Sequence, residues 1–203
     1  MKHILNLLDE IRAIAQLGLL YSTNTYDTKR YERLLNLCAE EYSAIVDQSP
    51  EFVKQLFLQE LGYITPKVGV NGIVFHEDGR LLLEKRADDH CWGIPGGWAE
   101  VGESPEESVI REIYEETGLI AEVKEIINVY TRLPGKYNNP HTTCHILYKC
   151  NIFGGELQKS EESLEVGFFQ ISDISEWHRD HKQWALEAYN KFIASQNAQT
   201  TDD

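Results

Sequence analysis

GWAEVGESPEESVIREIYEETGL, the stretch from Gly97 to Leu119, is the part of the sequence that decides the fold. It spells G-x5-E-x7-R-E-I-x-E-E-x-G-L: a loop, a helix and a helix stop, with charged positions fixed by spacing. At about 100° per residue, Glu112, Glu115 and Glu116 fall within roughly one third of the helix circumference. Val109, Ile110, Ile113 and Tyr114 occupy an adjoining arc, so one helix carries a stripe for burial beside clustered carboxylates. Like charges at i, i+3 and i+4 repel. Crowding them is costly unless a positive charge sits among them. Hard divalent cations such as Mg²⁺ take carboxylate oxygens while keeping positions for water and phosphate. The spacing predicts a metal cradle on a helix that Gly118 ends.

The approach to this helix is CWGIPGGWAEVGE, Cys91 to Glu103, whose Gly96 and Gly97 permit a tight loop close to any metal. Together the two segments resemble the Nudix box, the signature of hydrolases that cleave nucleoside diphosphates linked to another group. They match it from Gly97 and Glu103 through Arg111, Glu112, Glu115 and Glu116 to Gly118. A solvated acidic helix would need neither the glycines at both ends nor the lone Arg111.

The resemblance implies an α/β fold, a Nudix α/β/α sandwich with a mixed sheet. It also implies a Mg²⁺-dependent hydrolase, with Mn²⁺ as the other candidate ion, that cuts the pyrophosphate bond of a nucleoside diphosphate derivative. Such hydrolysis needs cations to mask phosphate charge and a water made nucleophilic. By resemblance Glu112, Glu115, Glu116 and the main-chain carbonyl of Gly96 hold the metal. Arg111 pairs with Glu103 and orients Glu112, and Arg86, at the end of the strand before the loop, contacts phosphate. Members of this family often activate water with a glutamate from a loop approaching the metals. KSEESLEVGFF, Lys159 to Phe169, places Glu161, Glu162 and Glu165 between two strand-like stretches. Glu165, at strand entry, suits a ligand role, and Glu161 and Glu162 suit the base. Glu112 and Glu115 are the alternatives within the box, and the sequence leaves that choice open.

Substrate choice lies outside the box. The helical N-terminal part, the chain length and the strand VGVNGIVF resemble the CDP-choline pyrophosphatase subgroup, so CDP-choline or a related CDP-alcohol is the first expectation. Pro134 stands where ADP-ribose-cleaving members often carry proline, which makes ADP-ribose the second. A nucleotide-sensing Nudix protein without turnover is the third, although the complete set of box carboxylates speaks against it. Tyr130, Tyr137 and Trp92 are candidates to stack on a base.

Residues 1–62 read as a small all-α domain. Ile4, Leu7, Leu8, Ile11 and Ala15 repeat at helical spacing, as do Tyr31, Leu34, Leu35, Cys38, Tyr42, Ile45 and Val46. A third helix is predicted to start at Ser49-Pro50, with serine as cap and proline in the first turn. The segment is similar to the helical domain that precedes the catalytic domain in one Nudix subgroup. Roughly 60 residues enclose a marginal core, so a homodimer through this domain is expected. Pro66 marks the change of periodicity, and residues 66–195 read as the hydrolase domain. In it VGVNGIVFHEDGRLLLEKR forms a hairpin at Glu77-Asp78-Gly79, and WHRDHKQWALEAYNKFIA closes the chain as a helix. Residues 196–203 read as a disordered tail.

The 203 residues carry 33 acidic and 19 basic side chains, a net charge of −14. That balance disfavours loose binding to DNA or anionic membrane. No apolar stretch is long enough to span a bilayer, and the N-terminus lacks a signal-peptide pattern. Cys38, Cys91, Cys144 and Cys150 form no C-x-x-C pair, which fits free thiols and a cytoplasmic location. His141 and His145, read as lying in one strand, lack further ligands at zinc spacing.

Overall fold

The computed structural model describes residues 2–60, 62, 64–139 and 141–199. By internal contacts the chain divides into two compact units, Met1–Lys67 with Thr131–Cys144, and Val68–Tyr130 with His145–Asp203.

The first unit is built on helices α1 (Lys2–Tyr21), α2 (Thr25–Val46) and α3 (Pro50–Leu58). The Asn24 side chain caps α2 and Ser49 caps α3, each accepting a backbone N–H of the first turn, with Pro50 opening α3. Leu8, Ala15, Leu35, Cys38, Tyr42, Val53 and Phe57 form its core, with Tyr42 edge-on to Phe57 at 5.5 Å. Arg12 is buried there, its guanidinium carbon 4.8 Å from the Phe57 ring centroid. Arg12 Nη1 donates to His141 Nδ1 at 2.9 Å, and Thr142 Oγ1 donates to Asp9 at 2.8 Å. These long-range polar contacts fix segment 131–144 to the helices, a link that no periodicity in the sequence signals.

The second unit holds strands β1 (Lys67–Ile73), β2 (Leu81–Arg86) and β3 (Trp92–Gly93), then α4 (Pro105–Thr117). β4 (Leu119–Arg132), β5 (Thr143–Gly155), β6 (Ser163–Phe169) and α5 (His181–Gln199) follow. The strands form two sheets, ordered β1-β5-β4 and β3-β2-β6. The hairpin between β1 and β2 turns at 77–79 as expected, and the His76 N–H donates to Arg80 O at 2.8 Å.

Strand alternation sorts side chains onto two faces. Val70, Val74 and Leu82 pack with Val109 and Ile113 of α4, while Ile73, Leu81, Leu83 and Leu147 pack with Trp184, Ala185 and Ala188 of α5. Gly72 lets α4 approach closely, since a Cβ there would stand 2.5 Å from Ile113 Cδ1. Helices on both faces of mixed sheets are the sandwich that the box implied.

Three details differ from the sequence reading. Helix α5 runs from His181 to Gln199, so residues 196–199 of the expected tail are helical, and 200–203 lie outside the described residues. The WHRD stretch before it is not helical because it is tied to β3 instead: the Trp92 N–H donates to Glu176 O at 2.9 Å and the His178 N–H donates to Trp92 O at 2.8 Å. His141 precedes β5 and belongs to the first unit, whereas His145 lies in β5 in the second.

Candidate active site

Helix α4 is held at both ends. Ser104 Oγ accepts the Glu107 N–H at 3.2 Å, and Glu107 Oε2 accepts the Ser104 N–H at 2.7 Å, a complete capping box. Gly118 ends the helix in the left-handed region at φ 73°. Rigid ends matter because the carboxylates lie on the middle and last turns.

The loop leading from β3 lies against this helix. The Gly96 N–H donates to Glu116 Oε2 at 2.7 Å, and the Val70 N–H donates to Gly97 O at 2.8 Å. A Cβ at Gly97 would reach within 2.4 Å of Glu112 Oε1, and one at Gly96 within 2.1 Å of Val70 O. Only glycine fits at Gly96, where the clash is with backbone, and a side chain at Gly97 would displace the Glu112 carboxylate. Asn71 Nδ2 donates to Ile94 O at 3.1 Å and His181 Nδ1 accepts the Ile94 N–H at 3.0 Å, which fixes the start of the loop from both sides.

Arg111 gathers the charged groups. Its Nε lies 3.2 Å from both Glu103 oxygens, and its Nη1 lies 3.1 Å from Glu112 and 2.9 Å from Glu115. Ser108 Oγ also donates to Glu103 at 2.8 Å. Glu115 is exposed, Glu112 half-buried and Glu116 buried. Among the described residues no three His, Cys, Asp or Glu side chains stand together as a ready metal cage; Arg111 holds two of the box carboxylates instead.

Glu84, which the sequence reading missed, joins Glu116. It is 1% exposed, on the α4 face of β2, accepting from Ser163 Oγ at 2.5 Å with Arg86 Nη1 3.6 Å away. Burial raises the Glu116 pKa well above the ordinary carboxylate value, and the Glu84 charge raises it further against the opposing Gly96 N–H. Burial also raises Glu84 and Glu112, opposed by Ser163 and Arg111 respectively. The available signal was an acid directly following the apolar run Leu81-Leu82-Leu83 in a predicted strand.

Arg86 is held by Asp88, with Nε 3.0 Å and Nη2 2.8 Å from its two oxygens, and this hydrogen bonding lowers Asp88 to about 2. The loop glutamates separate. Glu162 accepts the Ala87 N–H on its backbone carbonyl at 2.8 Å, and its carboxylate charge acts on both Glu84 and Glu112. Glu165 pairs with Lys85 across β2 and β6, whereas Glu84 pairs with Val166. Alternation therefore turns Glu165 to the face opposite Glu84. Glu161 is exposed on the loop.

Two of the three aromatic candidates pack against other rings. Trp92 lies 4.4 Å from the Phe169 ring, and Tyr130 stacks on Trp184 at 4.9 Å while donating to Glu187 at 2.5 Å. Tyr137 and the buried Pro134 belong to the first unit. All four cysteines are free thiols. No helix among the described residues is long and apolar enough to cross a membrane.

Comparison with known proteins agrees with this geometry. The family model described as the NUDIX domain matches residues 65–192, and one described as a UDP-X-like, N-terminal oligomerisation domain matches residues 2–57. A putative ADP-ribose pyrophosphatase of Bacillus subtilis is 37% identical over 162 residues, 78% of this chain and 76% of that protein. An ADP-ribose pyrophosphatase of Methanocaldococcus jannaschii is 34% identical over 152 residues, 73% of this chain and 85% of that protein. The crystal structure of a UDP-X diphosphatase shares the fold over 94% of both chains, with a TM-score of 0.58 and 24% identity.

Proposed function

The chain belongs to the Nudix family and is a Nudix pyrophosphohydrolase, and from that premise we propose that its substrate is ADP-ribose, cleaved to AMP and ribose 5-phosphate. The observation that carries this reading is the likeness to two ADP-ribose pyrophosphatases across most of both chains. It moves ADP-ribose ahead of CDP-choline, which the subgroup resemblance had put first. The proposed location is the cytoplasm.

Nudix hydrolases generally use divalent metal ions, and the residues present suit one. The donors are all hard oxygens, the glycine loop leaves no side chain between backbone and Glu112, and the mutual repulsion of buried Glu84 and Glu116 is what a cation would relieve. Glu112, Glu115, Glu116 and the Gly96 carbonyl would hold Mg²⁺. When bound, it masks phosphate charge and lowers the pKa of water.

The chain's own groups supply the rest. Arg111 positions Glu112 and Glu115 while Glu103 and Ser108 brace it, a role in which guanidinium geometry matters. Arg86 binds phosphate, its guanidinium oriented by Asp88. Glu162 takes the proton from the attacking water, because it is the loop glutamate whose charge reaches Glu84 and Glu112. The N-terminal helices form a homodimer interface.

Purified protein with Mg²⁺ and a panel of ADP-ribose, CDP-choline and a UDP-sugar, with products resolved by chromatography, tests the assignment. The expected result is the highest kcat/KM for ADP-ribose. Preference for CDP-choline would restore the CDP-alcohol reading, and binding without turnover would make the chain a sensor.

A further inference from the structure

A column of aromatic rings runs beneath the glycine loop. His178 lies 5.0 Å from His181, which stacks on Trp184 at 4.8 Å and 23°. Trp184, only 1% exposed, lies 5.4 Å from His145, and His145 lies 5.8 Å from Trp98. Every ring before the last is buried at 9% exposure or less, and Trp98 is 47% exposed. The column therefore ends in an open indole.

The position of that indole is fixed by backbone. Trp98 bridges Gly69 of β1, and hydrogen bonds on either side, Val70 N–H to Gly97 O and Ala99 N–H to Val68 O, are 2.8 and 2.9 Å long. Gly69 is itself required, since a Cβ there would stand 2.6 Å from the His145 ring that supports Trp98. Trp98 follows directly on Gly97, whose Cα faces the Glu112 carboxylate. At the column's other end Arg86 and His181 both approach Gly93, each 3.5 Å from a Cβ built there. By alternation Trp98, the partner of Gly69, turns its indole to the α5 face shared with His145, so the column ends one residue along the loop from the glycine pair, with the proposed phosphate-binding arginine at its other end.

We propose that Trp98 is the stacking platform for the nucleobase of the substrate, and so a specificity-determining residue for nucleoside over non-nucleoside diphosphates. This rests on the hydrolase reading above. An indole that solvent reaches on an otherwise packed column offers a flat π-face, and base–aromatic stacking is tolerant of base identity because every base has one. Trp98 would then distinguish a base from no base, leaving the choice among bases to other groups.

Steady-state kinetics and AMP binding of Trp98→Leu and Trp98→Phe, set beside the parent, test this. Trp98→Leu should raise KM for ADP-ribose and Kd for AMP about 5- to 100-fold, the range expected for loss of one stacked base. Its kcat should stay within about threefold, because the indole holds the base equally in ground and transition states. Trp98→Phe should recover most of the affinity. Ribose 5-phosphate, the base-free probe, should bind parent and Trp98→Leu alike. AMP should quench parent tryptophan fluorescence, and the quench should vanish in Trp98→Phe. Equal AMP affinity in parent and Trp98→Leu overturns the proposal while leaving the hydrolase intact, as does equal weakening of AMP and ribose 5-phosphate. Should the parent hydrolyse no nucleoside diphosphate derivative, both readings fall.

Discussion

The buried Glu116, proposed above as a metal ligand, carries a cost to stability. Its carboxylate is desolvated and faces the Glu84 charge, and both effects favour the neutral form. A carboxyl whose pKa is raised on folding destabilises the native state at neutral pH, and a cation or an amide removes that cost. Glu116→Gln keeps an oxygen for the Gly96 N–H and should leave the melting temperature in EDTA equal to or above the parent's. Its turnover with Mg²⁺ should fall by about 10²-fold or more, since an amide is a poor ligand for hard cations. Parent-like turnover at limiting Mg²⁺ would remove Glu116 from the metal site. Glu162 lies in the turn before β6, whereas Glu165 lies within the strand. Glu162→Gln should slow turnover by about 10²- to 10⁴-fold under saturating Mg²⁺, the range for loss of a general base. Glu165→Gln should stay within a few-fold. If the two variants behave alike, the base lies within the box, with Glu112 or Glu115 first in line.

At the scale of elements, the apolar arc of α1 is wider than the core it enters. Leu8 and Ala15 enter the core of the first unit, whereas Ile4, Leu7 and Ile14 are about half exposed. Those three lie within about 80° of one another around the helix, a stripe that water solvates poorly. A second copy of the same helix would cover it, as the oligomerisation model matched to residues 2–57 suggests. Leu7→Glu with Ile14→Glu should give a folded monomer by sedimentation at micromolar concentration with unchanged helical content. A monomeric parent, or a dimeric double variant, would rule out this helix as the interface.

For the molecule as a whole, the division into units matters more than the linear boundary at Pro66. Segment 131–144 depends on the N-terminal helices, since Arg12 contacts His141, Asp9 accepts from Thr142, and Gly135 lies against Leu5 and Ile45. Deleting residues 1–60 should therefore give aggregation rather than a tidy catalytic domain. A soluble, active truncation by light scattering and assay would contradict this. The same network makes stability pH-dependent. Burial, with the nearby Arg12 charge, lowers His141 from 6.5 to about 4. Between those values the unfolded chain binds a proton that the folded chain refuses. Stability should then fall as pH drops from 6.5 towards 4 and level off below it, as far as this group is concerned. Glu60, whose pKa is lowered against its burial by Lys67 and His141, adds a loss of the same sign at still lower pH. Urea unfolding of parent and His141→Gln at pH 7 and pH 5 should show a smaller drop in the variant.

The sandwich was implied by the resemblance that the box carries, and the sequence by itself determined the box helix, its glycine stop, the Ser49 cap and the 77–79 turn. Each of these depends on neighbours a few residues apart, where spacing and residue type settle the backbone. The Arg111 link to Glu112 was implied by the resemblance, and its contact with Glu115 fits the i, i+4 spacing of one helix face. Only the tertiary structure decided that Glu84 meets Glu116, that Glu165 turns away, that 131–144 joins the helices, and that Trp98 ends an aromatic column. Those outcomes depend on strand register and on packing between segments distant in sequence. A one-residue change of register exchanges the faces of a strand, and local spacing carries no information about which distant segment lies opposite.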